Sequence, residues 1–111
     1  MASLPTVPTT KILAISHPGA KQATQEQFAA ILQREVRETV GAYLNGKIDQ
    51  WYFQTDGKGV VFVVNATTVE DARAVLEQFP LGKAGLMAFD YIPLGPLNPL
   101  RLLANTPIPS K

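Results

Sequence analysis

Apolar positions along the chain follow two different spacings. Short runs rich in β-favouring residues predict strands, and apolar residues that recur every three or four positions predict helices. The strands are predicted at 11–16, 48–55, 59–66 and 86–92, and the helices at 24–44 and 67–79.

Short polar signals mark where these elements begin and end. Thr24 with Gln27, and Thr67 with Glu70, have the spacing of helix-capping boxes. His17-Pro18-Gly19 is expected to end the first strand, and Pro80 to end the second helix. Asp56-Gly57-Lys58-Gly59 is a strong turn signal, which predicts a hairpin between the second and third strands.

The resulting order is βαββαβ. It predicts one α+β domain over 11–92, a ferredoxin-like sandwich in which an antiparallel sheet carries both helices on one face. Residues 1–10 are expected to be a flexible tail. Residues 93–111 are apolar but rich in proline, so they are interpreted as an arm lying across a neighbouring subunit or across the rim of its own domain.

The third strand raises the question of what covers the second face of the sheet. Every residue from Val60 to Val64 is apolar, and neighbouring side chains in a strand point to opposite faces. The two helices can cover only one of these faces. The sequence therefore predicts a homodimer, or a higher homo-oligomer, in which two sheets pack face to face as a dimeric α/β barrel.

Composition excludes several classes of function. The 111 residues carry a net charge of +1 without a block of like charge, which argues against nucleic-acid binding and against attachment to a membrane surface. Cysteine is absent, and there is one histidine. No phosphate loop, metal-ligand cluster or nucleophile elbow is present, so neither a metal nor a cofactor is expected. The N-terminus lacks the pattern of a signal peptide, and a cytoplasmic location is expected.

Two segments resemble a known family. They are "VVFVVNATTVEDARAVLEQFPL" and "FDYIPLGPLNP", and "NGKIDQW" fits the glycine and tryptophan usual before the second strand of that family. Over about residues 24–100 the chain resembles the muconolactone isomerase-like group of the dimeric α/β-barrel superfamily. The resemblance implies that fold, assembly as a dimer and isomerase-like chemistry.

Two residues are candidates for proton transfer. His17 follows a central strand, and its side chain has an ordinary pKa near neutrality. Glu35 falls within the apolar arc of the first helix, where a carboxylate either is paired, reaches water from the edge, or lines a cavity with a raised pKa. The alternative for His17 is a half-exposed loop residue.

Five further residues are candidates for substrate binding. Thr39 lies one turn after Glu35 on the same side of the helix, which would suit a small polar site in an apolar cavity. Tyr43, Trp51 and Tyr91 are candidates for the walls of such a site, with a place in the core as the alternative. Asp90 interrupts the last strand, and a partner such as Arg101 or Lys11 would make it structural.

The leading hypothesis is a cofactor-independent enzyme that transfers a proton on a small carbonyl or aromatic compound, in a cavity between helices and sheet. A non-catalytic module that binds a small molecule, or has a regulatory role, is the alternative. A cofactor-free monooxygenase is a further one. The fold by itself does not choose among them.

Overall fold

The computed structural model describes residues 7–96. Within them, the regular elements are β1 (Lys11–Pro18), α1 (Gln25–Leu44), β2 (Ile48–Phe53), β3 (Val60–Val64), α2 (Val69–Leu76), α3 (Pro80–Lys83) and β4 (Met87–Leu94).

The four strands form one antiparallel sheet in the order β2-β3-β1-β4. The two strands of each βαβ unit are therefore separated by a third strand, since β3 lies between β1 and β2, and β1 lies between β3 and β4. The predicted order of strands and long helices is confirmed. Both the order and the pairing are compatible with a ferredoxin-like fold, to which the short helix α3 is added.

The first predicted capping box and the predicted hairpin are both present. The backbone N–H of Gln27 donates to Thr24 Oγ1 at 3.2 Å, and the Thr24 N–H donates to Gln27 Oε1 at 3.0 Å. In the hairpin turn, the Lys58 N–H donates to Asp56 Oδ1 at 2.9 Å. Gly57 has a φ of 78°, a conformation that favours glycine.

The second helix is capped one residue later than predicted and ends earlier. Its cap is Thr68, whose hydroxyl accepts from the Asp71 N–H at 3.1 Å, so the predicted box of Thr67 with Glu70 is wrong. Pro80 does not end this helix, which finishes at Leu76; it begins α3 instead. Proline suits the first position of a helix because the N–H it lacks would have no partner inside that helix.

The strands β1 and β4 both extend beyond their predicted C-terminal ends. His17 and Pro18 belong to β1 and pair with Ala88 and Met87. Pro93 belongs to β4, a strand at the edge of the sheet, where a missing N–H can face away from the hydrogen-bonded ladder. The rest of the predicted arm, from residue 97, and residues 1–6 of the predicted tail lie outside the described residues.

The core lies between the sheet and the helices. Ile12 and Ala14 of β1 and Phe62 and Val64 of β3 are buried on this side, together with Leu76 of α2. The alternate residues of β1 and β3 project from the opposite face and remain only partly buried; they are Leu13, Ile15, Val61 and Val63. This face is the one for which the sequence predicts a partner.

The two neighbouring threonines before α2 allow a matched test of its cap. We expect Thr68→Ala to lower the free energy of unfolding by about 1 kcal/mol, because it removes the acceptor for the Asp71 N–H. Thr67→Ala should change it by less than about 0.5 kcal/mol. Urea unfolding of both variants measures the difference, and an equal effect at the two positions would contradict this cap.

Candidate functional site

A cleft of about 350 Å³ lies between α1 and the β2–β3 side of the sheet. Its walls are almost entirely apolar. They are formed by Leu32, Val36 and Val40 of α1, by Trp51, Tyr52, Phe53, Val60, Phe62 and Met87 of the sheet, and by Leu81. Glu35 and Thr39 line the same cleft and bring polar groups into it.

The outer side of the cleft is open. Leu32, Val36 and Val40 follow one another at four-residue spacing along α1, and Val36 is 54% exposed. The sequence pattern places these side chains among the residues that pack on the sheet. In the structure they form the outer wall of a cleft because α1 turns Glu35, Thr39 and Ala42 inward instead.

Glu35 is held at the inner end of the cleft by a backbone group of α3. Its side chain is only 7% exposed, and Oε1 accepts the Leu81 N–H at 2.9 Å. Phe79, the residue that caps α3, offers no side-chain acceptor to that helix. Glu35 therefore supplies from α1 the acceptor that the first turn of α3 needs.

The second carboxyl oxygen faces Thr39. The Thr39 hydroxyl lies 2.7 Å from the Glu35 carbonyl oxygen and 3.3 Å from Glu35 Oε2. A hydroxyl has one proton, and the carbonyl is the closer acceptor. The contact of the hydroxyl with Oε2 is therefore the weaker one, and Oε2 is held less firmly than Oε1.

The surroundings of Glu35 make its carboxyl group harder to ionise than an ordinary glutamate. Burial raises the pKa of the Glu35 carboxyl above its ordinary value, and the nearby negative charge of Glu38 adds to the effect. The hydrogen bonds from Leu81 and Thr39 act in the opposite direction without reversing it. Glu35 thus keeps its proton to a higher pH than an ordinary glutamate, as a group that exchanges protons in an apolar site requires.

Two predicted aromatic residues lie at one end of the cleft. The rings of Tyr43 and Trp51 are stacked, with centroids 4.3 Å apart and planes 9° from parallel. Trp51 lines the cleft, whereas Tyr43 covers one face of its indole ring. The cleft therefore brings Glu35, Thr39 and Trp51 together, and Tyr43 supports the indole ring of Trp51.

His17 and Asp90 lie elsewhere. His17 has the same orientation along β1 as Leu13 and Ile15, which project from the face opposite the helices. Its Nε2 lies 3.6 Å from Asp90 Oδ1 on β4. Lys11, an expected partner of Asp90, instead contacts Asp49 with an Nζ to Oδ2 distance of 3.5 Å, and Arg101 lies outside the described residues. His17 and Glu35 cannot act on one molecule in the cleft, because the sheet separates them.

Tyr91 faces the helices but contacts α2. Its hydroxyl donates to Glu77 Oε2 at 3.0 Å, and the Arg73 guanidinium lies 5.4 Å from the ring centroid. Burial and the Glu77 carboxylate raise the pKa of the Tyr91 hydroxyl. These contacts join β4 to α2, and the Tyr91 hydroxyl does not lie in the cleft.

Sequence reasoning missed the residues that complete the site. Leu81 holds Glu35 through its backbone N–H, a contact for which a sequence contains no signal. Phe53, Val60, Phe62 and Met87 were expected only as strand residues, although they form the inner wall. Within residues 7–96, no three side chains of the histidine, aspartate and glutamate type are grouped to hold a metal ion, and no helix is both long and apolar enough to cross a membrane.

Comparison of the chain with protein-family models and with curated proteins found no match.

The buried carboxyl makes stability depend on pH in a defined direction. The folded state holds the Glu35 proton more tightly than the unfolded chain, so stability is lost as pH rises from about 4.3, the ordinary glutamate pKa, through the raised pKa. We expect Glu35→Gln to be increasingly stable relative to the natural protein over this range, by up to about 1.4 kcal/mol for each unit of the shift.

Urea unfolding at pH 4 and pH 8 measures this difference. Glu38→Gln, which removes an exposed carboxylate from the same helix, serves as the control and should retain most of the pH dependence. Identical pH dependence in Glu35→Gln and the natural protein would contradict the raised pKa.

Proposed function

We propose that the protein is a cofactor-independent small-molecule enzyme of the muconolactone isomerase-like type, which transfers a proton on a small carbonyl compound in the cleft. The observation that carries the proposal is Glu35, a buried carboxyl with a raised pKa that lines an apolar cleft of substrate size. The sequence resemblance and the arrangement of helices and strands support the same conclusion.

The reaction uses one carboxyl oxygen. Oε1 is occupied by the Leu81 N–H, so Oε2 is the oxygen that exchanges the proton. In its ionised form, Oε2 removes a proton from the carbon next to a carbonyl group, and the electron pair of that C–H bond forms an enolate. The new carboxyl then returns the proton to another carbon of the conjugated system, and the carbonyl is restored. The Thr39 hydroxyl, 3.3 Å from Oε2, donates to the substrate's carbonyl oxygen after turning away from the Glu35 carbonyl oxygen.

A raised pKa suits this exchange. A glutamate at its ordinary pKa is almost fully ionised at neutral pH and is a weak base. Burial moves the pKa of Glu35 towards neutrality, which makes the ionised form a stronger base and the neutral form available to return the proton.

The enzyme assembles as a homodimer through the outer face of the sheet. Leu13, Ile15, Val61 and Val63 give this face an apolar centre, and Ile92 of β4 extends it. At its edges, Lys11 contacts Asp49 and His17 contacts Asp90, so these polar side chains already have partners within one chain. Covering a fully exposed side chain of this size contributes about 1.5–3 kcal/mol, and less where it is already partly buried. A second copy of the chain has the same apolar centre, so each copy can cover the other.

A non-catalytic binding module is the second candidate. The contact of Glu35 Oε1 with the Leu81 N–H favours it, because this contact gives the buried carboxyl a purely structural role in capping α3. Under this alternative the cleft holds a ligand and Glu35 is not required to change its protonation.

The two candidates are separated by a proton-transfer assay. With cyclohex-3-en-1-one as the probe, the enzyme is expected to form the conjugated cyclohex-2-en-1-one by moving a proton from the α to the γ carbon. In D2O the product should carry deuterium, as measured by NMR. Glu35→Gln should lower the rate by about 100-fold or more, because the amide retains the Leu81 contact but cannot act as the base.

Glu38→Gln is the control for that assay and should leave the rate within about twofold, since Glu38 is exposed and does not line the cleft. Equal rates for Glu35→Gln and Glu38→Gln would exclude Glu35 as the base. Binding of the ketone without any turnover would support the non-catalytic module.

The assembly is tested with one charged residue on the outer face. Val63→Lys should convert a dimer into a folded monomer, because two lysines and their hydration cannot be accommodated between the apolar sheets. Leu44→Lys places the same charge at a side chain that is 76% exposed at the end of α1 and should leave the dimer intact. Light scattering at micromolar concentration gives the mass. A natural protein that is already monomeric at this concentration would contradict the dimer.

A further inference from the structure

We infer that the ligand of the cleft is an uncharged, mainly apolar molecule with a hydrogen-bond acceptor at one end, and that the cleft discriminates against carboxylates. The inference deepens the proposed function and rests on it to the extent that the cleft is the substrate site. The charges of the residues that line the cleft indicate this class of substrate.

Within the described residues, 7–96, the lining contains no cationic side chain. None of the residues of this part of the chain that line the cleft is lysine, arginine or histidine. The sole histidine of the chain is on the opposite face of the sheet, where it approaches Asp90. A carboxylate that entered the cleft would therefore lose water without gaining an opposite charge, which is costly in an apolar environment.

The electrostatic surroundings add to this discrimination. Glu35 is the lining residue that can carry a charge at neutral pH, and that charge is negative. Glu38 is one turn away on α1 and acts on Glu35 as a like charge. An anionic ligand would meet repulsion from Glu38, and from Glu35 whenever that carboxyl is ionised, whereas an uncharged ligand meets neither.

The polar end of the cleft is equipped for an acceptor. When Glu35 is protonated, its carboxyl has a proton on Oε2 to donate, and the Thr39 hydroxyl lies beside it. The Leu81 N–H is already used by Oε1. A ketone, ester or lactone oxygen matches these donors, while the rest of the ligand contacts aliphatic and aromatic walls.

The volume of the cleft indicates how much of a ligand lies within it. At about 30 Å³ for each water-sized unit, the 350 Å³ cleft has room for on the order of ten heavy atoms. Trp51, the sole tryptophan of the chain, lines the cleft and provides a fluorescence signal for occupancy.

Three compounds of similar size and shape test the inference. Methyl cinnamate has the acceptor and no charge, cinnamate carries a carboxylate, and 1-phenyl-1-butene lacks an acceptor. In calorimetric titrations of the full chain at pH 7, methyl cinnamate should bind at least tenfold more tightly than either of the others. Its binding should also change the emission of Trp51.

Two lysine variants test whether the cleft lining causes the discrimination against carboxylates. Val36→Lys adds a cation to the open outer wall and should raise the affinity for cinnamate relative to that for methyl cinnamate at least fivefold. Leu44→Lys adds the same charge to the same helix outside the cleft and should change neither. Circular dichroism checks that both variants fold.

The outcomes separate this inference from the proposed function. Tighter binding of cinnamate than of its ester would overturn the inference while leaving a binding cleft in place. Equal binding of the ester and the hydrocarbon would overturn the requirement for an acceptor. No gain for cinnamate in Val36→Lys would overturn the assignment of the discrimination to the cleft lining. Absence of binding by all three compounds, without turnover of the ketone, would count against the proposed function itself.

Discussion

The hydrogen bond from the Leu81 N–H to Glu35 Oε1 is the contact on which the site depends. It joins the middle of α1 to the first turn of α3, a helix whose capping residue offers no side-chain acceptor. An unsatisfied N–H buried at this position would cost about 1–3 kcal/mol. A carboxyl is therefore held inside the protein, where an apolar residue would otherwise be expected.

The inward position of Glu35 also shapes the cleft. Because α1 turns Glu35, Thr39 and Ala42 inward, its aliphatic residues Leu32, Val36 and Val40 stand opposite the sheet without closing on it. The two oxygens of Glu35 consequently have different roles. Oε1 stabilises the fold, and Oε2 faces Thr39 and the cleft, where the loss of water raises the pKa of the group.

The sequence was sufficient for the sheet but not for the face on which each side chain lies. Thr24 with Gln27, the turn at 56–59 and the runs of β-favouring residues predicted the element order, because each acts over a few neighbouring residues. The face of the sheet on which His17 lies could not be predicted from such local signals. Each alternating set of residues in "KILAIS" contains two apolar residues and one polar residue, so the strand pattern did not distinguish the face of Ile12 and Ala14 from the face of Leu13 and Ile15. Packing against the helices decided it and placed His17 away from Glu35.

The sequence by itself determined the α+β order of elements, the position of Glu35 and Thr39 on one side of a helix, and a third strand that is apolar on both faces. These follow from local backbone preferences and from the periods of the helix and the strand. The tertiary structure decided that Glu35 is buried, that Leu81 holds it and that Trp51 shares its cleft while His17 does not. Such relations join residues more than 40 positions apart in some cases, and only the packing of α1 and α3 against the sheet brings them together.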